Sequence, residues 1–125
     1  MSDFLTLGEV LAIHSDQIER YGGSHGVRDP GLLEGALYRP QNGYYSGLIE
    51  EAAALWESLS QNHAFIDGNK RVAFAATYTF LAINGARIIA GPDETYAFLA
   101  ELYETHKLRY DRLLPWLRGH VLLDH

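Results

Sequence analysis

The sequence contains no cysteine, which excludes a disulfide framework and a thiolate metal site and is compatible with a reducing compartment. Positive charge is in short supply as well. Ten Lys and Arg stand against sixteen Asp and Glu, a net charge of −6, so no whole-molecule field draws in phosphate backbones and direct nucleic-acid binding is not expected. Long apolar runs are missing. The longest uncharged stretch, Val72 to Ala86, is interrupted by Thr77, Thr79 and Asn84 and falls short of the roughly 18 apolar residues of a membrane span. The start MSDFLTLGEV has neither the basic residues nor the apolar core of a signal peptide. These absences predict a cytoplasmic protein without a membrane partner. Repeats, low-complexity tracts and linkers do not occur either. At 125 residues, 47% hydrophobic and 21% charged, the chain is expected to form one domain over 1–125 with a single core.

What is present is mostly helical punctuation. Thr6 followed by Glu9 is a capping-box pair. Leu7, Val10, Leu11, His14 and Ile18 then recur at helical spacing up to Tyr21-Gly22-Gly23. Asp29-Pro30 opens a second helix through Leu32, Leu33, Ala36 and Leu37, ending by Pro40. In PQNGYYSG, Pro40 to Gly47, Asn42-Gly43 suits a tight hairpin turn and Tyr44-Tyr45 favour extended backbone, so this segment reads as a hairpin flap or as a plain loop. From Leu48 to Gln61 or Asn62 a third helix places Ala52, Leu55, Trp56 and Leu59 on one face. Arg71 to Asn84 is apolar on most sides and is expected to be the central helix, stopped by Asn84-Gly85. An extended piece at Arg87 to Ala90 precedes a helix opened by Gly91-Pro92-Asp93, and a last helix begins near Tyr110 and carries Pro115, which sits in its first turn or kinks it. The fold class expected is all-α, about six helices around a buried one.

Between the third helix and the buried one lies HAFIDGNKR, His63 to Arg71. Gly68 permits backbone angles that other residues resist, and Asn69 tolerates them better than most. Such a turn can aim consecutive N–H groups at one spot, where the following helix adds the positive end of its dipole. Lys70 and Arg71 at that end oppose the dipole, a conflict that a bound anion resolves. Asp67 would be repelled by bare phosphate but not by phosphate carrying a hard cation such as Mg²⁺. His63 supplies a side chain that takes a proton near neutral pH. Phe65 reads as the inward anchor. The set has the parts for phosphoryl or nucleotidyl transfer, although neither GxxxxGK[ST] nor a kinase-type glycine loop is present. Taken one at a time, the same residues also read as a packed histidine, a turn and two solvated charges.

The motif resembles the Fic signature HxFx[D/E]GNGR, and specifically its Doc branch, in which lysine replaces the second glycine. Arg20-Tyr21-Gly22-Gly23, Gly26 and Asp29-Pro30-Gly31 are similar to a further signature near the start of Doc (death on curing) toxins. The resemblance implies that His63 is the base that deprotonates a target hydroxyl and that Asp67 holds Mg²⁺. It also implies that Gly68 and Asn69 build the anion site and that Lys70 and Arg71 contact the phosphates of ATP. By the same resemblance, Gln41, Asn42, Gly43, Tyr44 and Tyr45 form a flap that holds the target's extended segment. Fic proteins transfer AMP from ATP to a protein hydroxyl. Doc proteins resemble them in fold but act as kinases on elongation factor Tu and arrest translation, restrained by a Phd-like antitoxin.

Two departures from the Fic pattern favour the Doc chemistry: Lys70 stands where AMP transferases have a small glycine, and Phe74 where they carry a second arginine. Gly68 is the Fic residue at a position where a Doc protein has alanine. The inhibitory pattern [ST]xxxE[GN] is not completed, since Arg20 follows the Ser15/Glu19 pair and Glu51 follows Ser46/Glu50; inhibition in trans is therefore expected. AMP transfer and a catalytically silent module that binds nucleotide or antitoxin are the alternatives. The locally basic stretch His106 to His120 reads as a solvated helix face or a contact for an acidic partner. His14 and His25 are too isolated to argue for zinc, and Trp56 and Trp116 read as core.

Overall fold

Thr6 opens the first helix, α1 (Leu7–Tyr21), with both bonds of the capping box: Glu9 N–H donates to Thr6 Oγ1 at 3.2 Å, and Thr6 N–H to Glu9 Oε1 at 2.8 Å. The computed structural model describes residues 2–124. α1 stops at Gly22, whose φ of +84° ends the helical path. In α2 (Pro30–Tyr38) the Asp29 side chain accepts from Leu32 N–H at 3.1 Å, and Pro30 occupies the first turn, where its missing N–H costs nothing. A 3-10 turn, Arg39–Gln41, continues α2.

α3 (Leu48–Gln61) and α4 (Asn69–Ile83) form the central pair. Five fully buried alanines, Ala52, Ala53, Ala54, Ala73 and Ala76, give the two helices short side chains at the core. α3 is the more enclosed, lying against α2, α4 and α6 (Tyr110–His120). α4 buries Val72, Ala73, Ala76, Thr77, Phe80 and Leu81 but leaves Tyr78 and Ile83 46% and 43% exposed. Its all-round apolar character therefore has a second cause besides burial, the open groove described below. β1 (Ala86–Ile88) pairs antiparallel with β2 (Val121–Leu123), Ala86 opposite Leu123, and α5 (Pro92–Glu104) lies between them in sequence. Trp56 is fully buried; Trp116 is half-buried and stacks on Phe98 at 4.6 Å. Pro115 lies in the second turn of α6, past the position where its missing donor is harmless, so the Asp111 carbonyl has no helical partner.

The two strands do not come from the flap segment, where the loop reading holds. Arg39–Gln41 is coiled as a 3-10 turn, so Tyr44 and Tyr45 have no extended partner to pair with. Asn42 Oδ1 instead accepts Tyr44 N–H at 2.9 Å, and Gly43 sits at φ +83°. Gln41 is tied back to the Leu37 carbonyl at 3.0 Å. Tyr44 is 84% exposed, whereas the Tyr45 hydroxyl accepts from Arg39 Nε at 2.8 Å. Arg39 also pairs with Glu57 at 2.6 Å, whose other oxygen accepts Tyr110 N–H at 2.6 Å. One ion pair thus ties the flap to α3 and to the start of α6. Among the described residues, no helix is long and apolar enough to cross a membrane.

Candidate active site

The loop from His63 to Gly68 is held from three sides. Phe65 is buried, and the His14 ring from α1 stacks on it with centroids 3.9 Å apart and planes 8° from parallel. The same His14 ring donates from Nε2 to the Asp67 carbonyl at 2.7 Å, the carbonyl being an acceptor only. The segment before α2 adds backbone bonds: Arg28 N–H and Asp29 N–H donate to the Ala64 carbonyl at 2.7 and 3.0 Å, and Ile66 N–H to that of Gly26 at 3.0 Å. The Arg28 side chain donates to the His63 carbonyl at 2.8 Å. Asn69 closes the loop on itself, accepting Phe65 N–H at 3.0 Å and donating to the Phe65 carbonyl at 2.9 Å. Its side chain is thereby committed to the loop, and what Asn69 offers an anion is its backbone N–H.

Gly68 caps α4 in the left-handed region, φ +76°. Val72 N–H donates to the Gly68 carbonyl at 2.9 Å, which leaves the donors of Asn69, Lys70 and Arg71 as the first turn without partners among the described residues. Asp67 lies beside them. Its Oδ2 accepts Ser24 N–H at 3.1 Å and its Oδ1 accepts Gly68 N–H at 2.8 Å. Gly23 makes this approach possible: at φ +116°, an added Cβ would stand 2.6 Å from Asp67 Oδ2 and 3.1 Å from Arg71 Nη2. Gly23 of the RYGG segment therefore has a physical purpose, to let the Ser24 N–H reach the Asp67 carboxylate.

The backbone bonds from Ser24 and Gly68, with the nearby Arg71 and His14, hold the Asp67 carboxyl below its usual range. A lowered folded pKa adds stability above the ordinary carboxylate range that is lost as pH falls through the lowered value. Asp67→Asn should therefore be less stable than the wild type at neutral pH, with the gap closing only below pH about 4. Urea midpoints measured across the acid range check this. A gap that closes before the ordinary carboxylate range is reached would count against the assignment.

His63, at φ +49°, lines a cavity of about 210 Å³ together with Ser60, Gln61, Lys70, Tyr103, His106 and Leu108. On the other side of Lys70 a larger, mainly apolar groove of about 1110 Å³ runs between α1, α4 and α5, lined by Tyr21, Arg71, Phe74, Tyr78, Tyr96 and Leu99 among others. Lys70 and Tyr103 border both spaces. Arg71 is half-buried, and its Nη1 donates to the Gln17 carbonyl at 3.4 Å. Thus His63, Asp67, Gly68, Lys70 and Arg71 do converge around one helix end. The flap residues belong to a different segment, Gln41 closing the 3-10 turn and Asn42, Gly43, Tyr44 and Tyr45 lying in the loop before α3.

Sequence reasoning missed His14, Arg28 and Tyr103 as parts of this arrangement. His14 stood on the apolar face of α1, a signal for burial, and burial of a polar ring beside a loop full of carbonyls implies a partner. Nothing local marks Arg28 or Tyr103. A basic and an acidic group, an imidazole and open backbone donors around one loop suit the binding and transfer of a phosphate group.

A family model described as the Fic/DOC family matches residues 4–81. The chain is 45% identical over 98 residues to Toxin Doc of Mycolicibacterium smegmatis, covering 74% of this chain and 73% of that protein. It is 34% identical over 89 residues to Protein kinase doc of Escherichia phage P1, covering 68% and 71%. With a match over more than half of its length and two such relatives, the chain belongs to the Fic/DOC family.

Proposed function

We propose that this protein is the toxin of a toxin–antitoxin pair, a protein kinase that phosphorylates a hydroxyl of elongation factor Tu or another translation protein and is neutralised by a Phd-like antitoxin. The observation that carries this reading is the convergence of His63, Asp67, Lys70 and Arg71 on the unpaired first turn of α4. Relatives named as a toxin and as a protein kinase support it.

The acceptor oxygen attacks the γ-phosphorus of ATP, the bond to the bridging oxygen breaks, ADP leaves, and the hydroxyl proton passes to the His63 imidazole. Lys70, Arg71 and the first-turn N–H groups hold the phosphate oxygens. Asp67 fits a magnesium site: an exposed, ionised carboxylate with lone pairs left after its two backbone bonds. Asp67 would hold Mg²⁺ together with the phosphates of ATP. Magnesium, when bound, neutralises charge on the phosphates.

The apolar groove between α1, α4 and α5 suits the amphipathic helix of an antitoxin, which would approach Lys70 and Arg71 from that side. Tyr44 and its neighbours in the flap would hold the target's extended chain.

Gly68 is the feature that favours AMP transfer as a second reading. Its positive φ and the Ile18 Cδ1 atom 3.1 Å from an added Cβ account for this glycine without reference to the nucleotide. Product analysis separates the readings. ADP is expected to accumulate when ATP, Mg²⁺ and elongation factor Tu are supplied. Pyrophosphate in its place would mean AMP transfer, and neither product would leave a binding module.

A further inference from the structure

We infer that Tyr103 is a positioning residue for Lys70, acting on transfer through that ammonium group; this rests on the kinase reading above. Lys70 Nζ stands over the Tyr103 ring, 4.4 Å from its centroid. A cation at that distance is drawn to the negative face of the ring. The need for such a hold follows from the position of Lys70 in the first turn of α4, where the helix dipole repels a cation. A long flexible side chain there has every reason to swing outward into water.

Tyr103 is itself fixed. It occupies the last turn of α5, and its hydroxyl shares a 3.0 Å hydrogen bond with Ser60 Oγ. Ser60 is buried near the end of α3, so the ring is anchored to the most enclosed helix of the fold. Burial holds the phenol above its usual pKa, against a smaller lowering by Ser60, so Lys70 meets a neutral ring and not a phenolate. Both residues border the His63 cavity and the groove. Tyr103 therefore confines Lys70 to the wall between the two spaces.

The test is a double-mutant cycle on phosphoryl transfer with Tyr103→Leu and Lys70→Met. Tyr103→Leu should lower kcat about fivefold, the upper size expected of a cation–π contact to an exposed lysine, with little change in KM for the protein substrate. On the Lys70→Met background the same substitution should change almost nothing, because the group it acts through is gone. Tyr103→Phe keeps the ring face but loses the bond to Ser60, and should bring the rate back to within about threefold of the wild type. If Tyr103→Leu fails to fold, Ser60→Ala, which frees the ring's hydroxyl, should show a smaller loss of about threefold, again absent on the Lys70→Met background. Equal losses on both backgrounds would overturn the proposal and leave Tyr103 a packing residue.

A second readout needs no activity. The Lys70 ε-methylene protons should be shifted upfield by the ring in the wild type and in Tyr103→Phe, and should return to ordinary values in Tyr103→Leu. Unshifted protons in the wild type would overturn the contact itself. An inactive wild type with shifted protons would overturn the kinase reading instead, and the cycle would then be run on Mg·ATP affinity with the same criterion of non-additivity.

Discussion

Replacing His63 should lower the transfer rate by about 10²–10⁴-fold, the range expected for loss of a general base, and should abolish growth arrest while the protein stays folded. The backbone dictates the choice of variant. His63 sits in the left-handed region at φ +49°, where Asn is better tolerated than other residues. His63→Asn should keep the loop as it is, whereas His63→Ala adds a backbone cost of about 1 kcal/mol. His63 is exposed, and among the described residues its hydrogen bonding is through its carbonyl, to Arg28, so neither change should disturb the core. Equal loss of activity in both variants, with only the Ala form slightly less stable by urea unfolding, is the expected pattern. A folded His63→Asn protein that still arrests growth at the wild-type level would remove His63 from the base role.

Phe65→Ala should be the most costly single change in the loop. The side chain is 1% exposed, and truncating a buried Phe costs about 3–5 kcal/mol out of the 5–15 kcal/mol available to a domain of this kind. The effect reaches beyond the cavity. His14 loses the ring it stacks on, and His14 holds the Asp67 carbonyl; the bonds of Asn69 to the Phe65 backbone are then the remaining local brace. Activity at low temperature should fall along with stability, because Asp67 and His63 lie on either side of Phe65. Urea unfolding with matched m-values measures the first effect, and single-turnover transfer on protein confirmed as folded measures the second. A stability loss under about 1 kcal/mol, typical of a surface change, would mean that Phe65 does not anchor the loop.

Much of this arrangement can be read from contiguous residues. The Thr6 and Asp29 caps and the stops at Gly22 and Gly85 depend on signals within a few positions, and α1 and α2 begin where those signals lie, whereas α4 begins at Asn69, two residues before the Arg71 start expected from the apolar run. Gly68 was legible for the same reason, since a glycine before an apolar run marks a helix boundary, while Lys70 and Arg71 stood out because cations at a helix start oppose its dipole. What the sequence could not convey is where a side chain turns once several partners compete. Asn69 satisfies the Phe65 backbone because that loop has two polar groups with no nearer partner, a fact of the folded loop and not of the motif. Tyr44 and Tyr45 have strand propensity but no extended partner, so the turn chemistry of Asn42-Gly43 yields an Asx-type bend and the small sheet forms at Ala86–Ile88 and Val121–Leu123. Tyr103 meets Lys70 only because α5 stands across the groove from α4, a long-range contact that no local spacing announces.

The central claim is that the phosphorus attacked is the γ and not the α. Parallel reactions with γ-labelled and α-labelled ATP, Mg²⁺ and elongation factor Tu test it most directly, with His63→Asn as the control. The account predicts label on the factor from the γ position alone, lost in the His63→Asn reaction. Label carried over from the α position would contradict it.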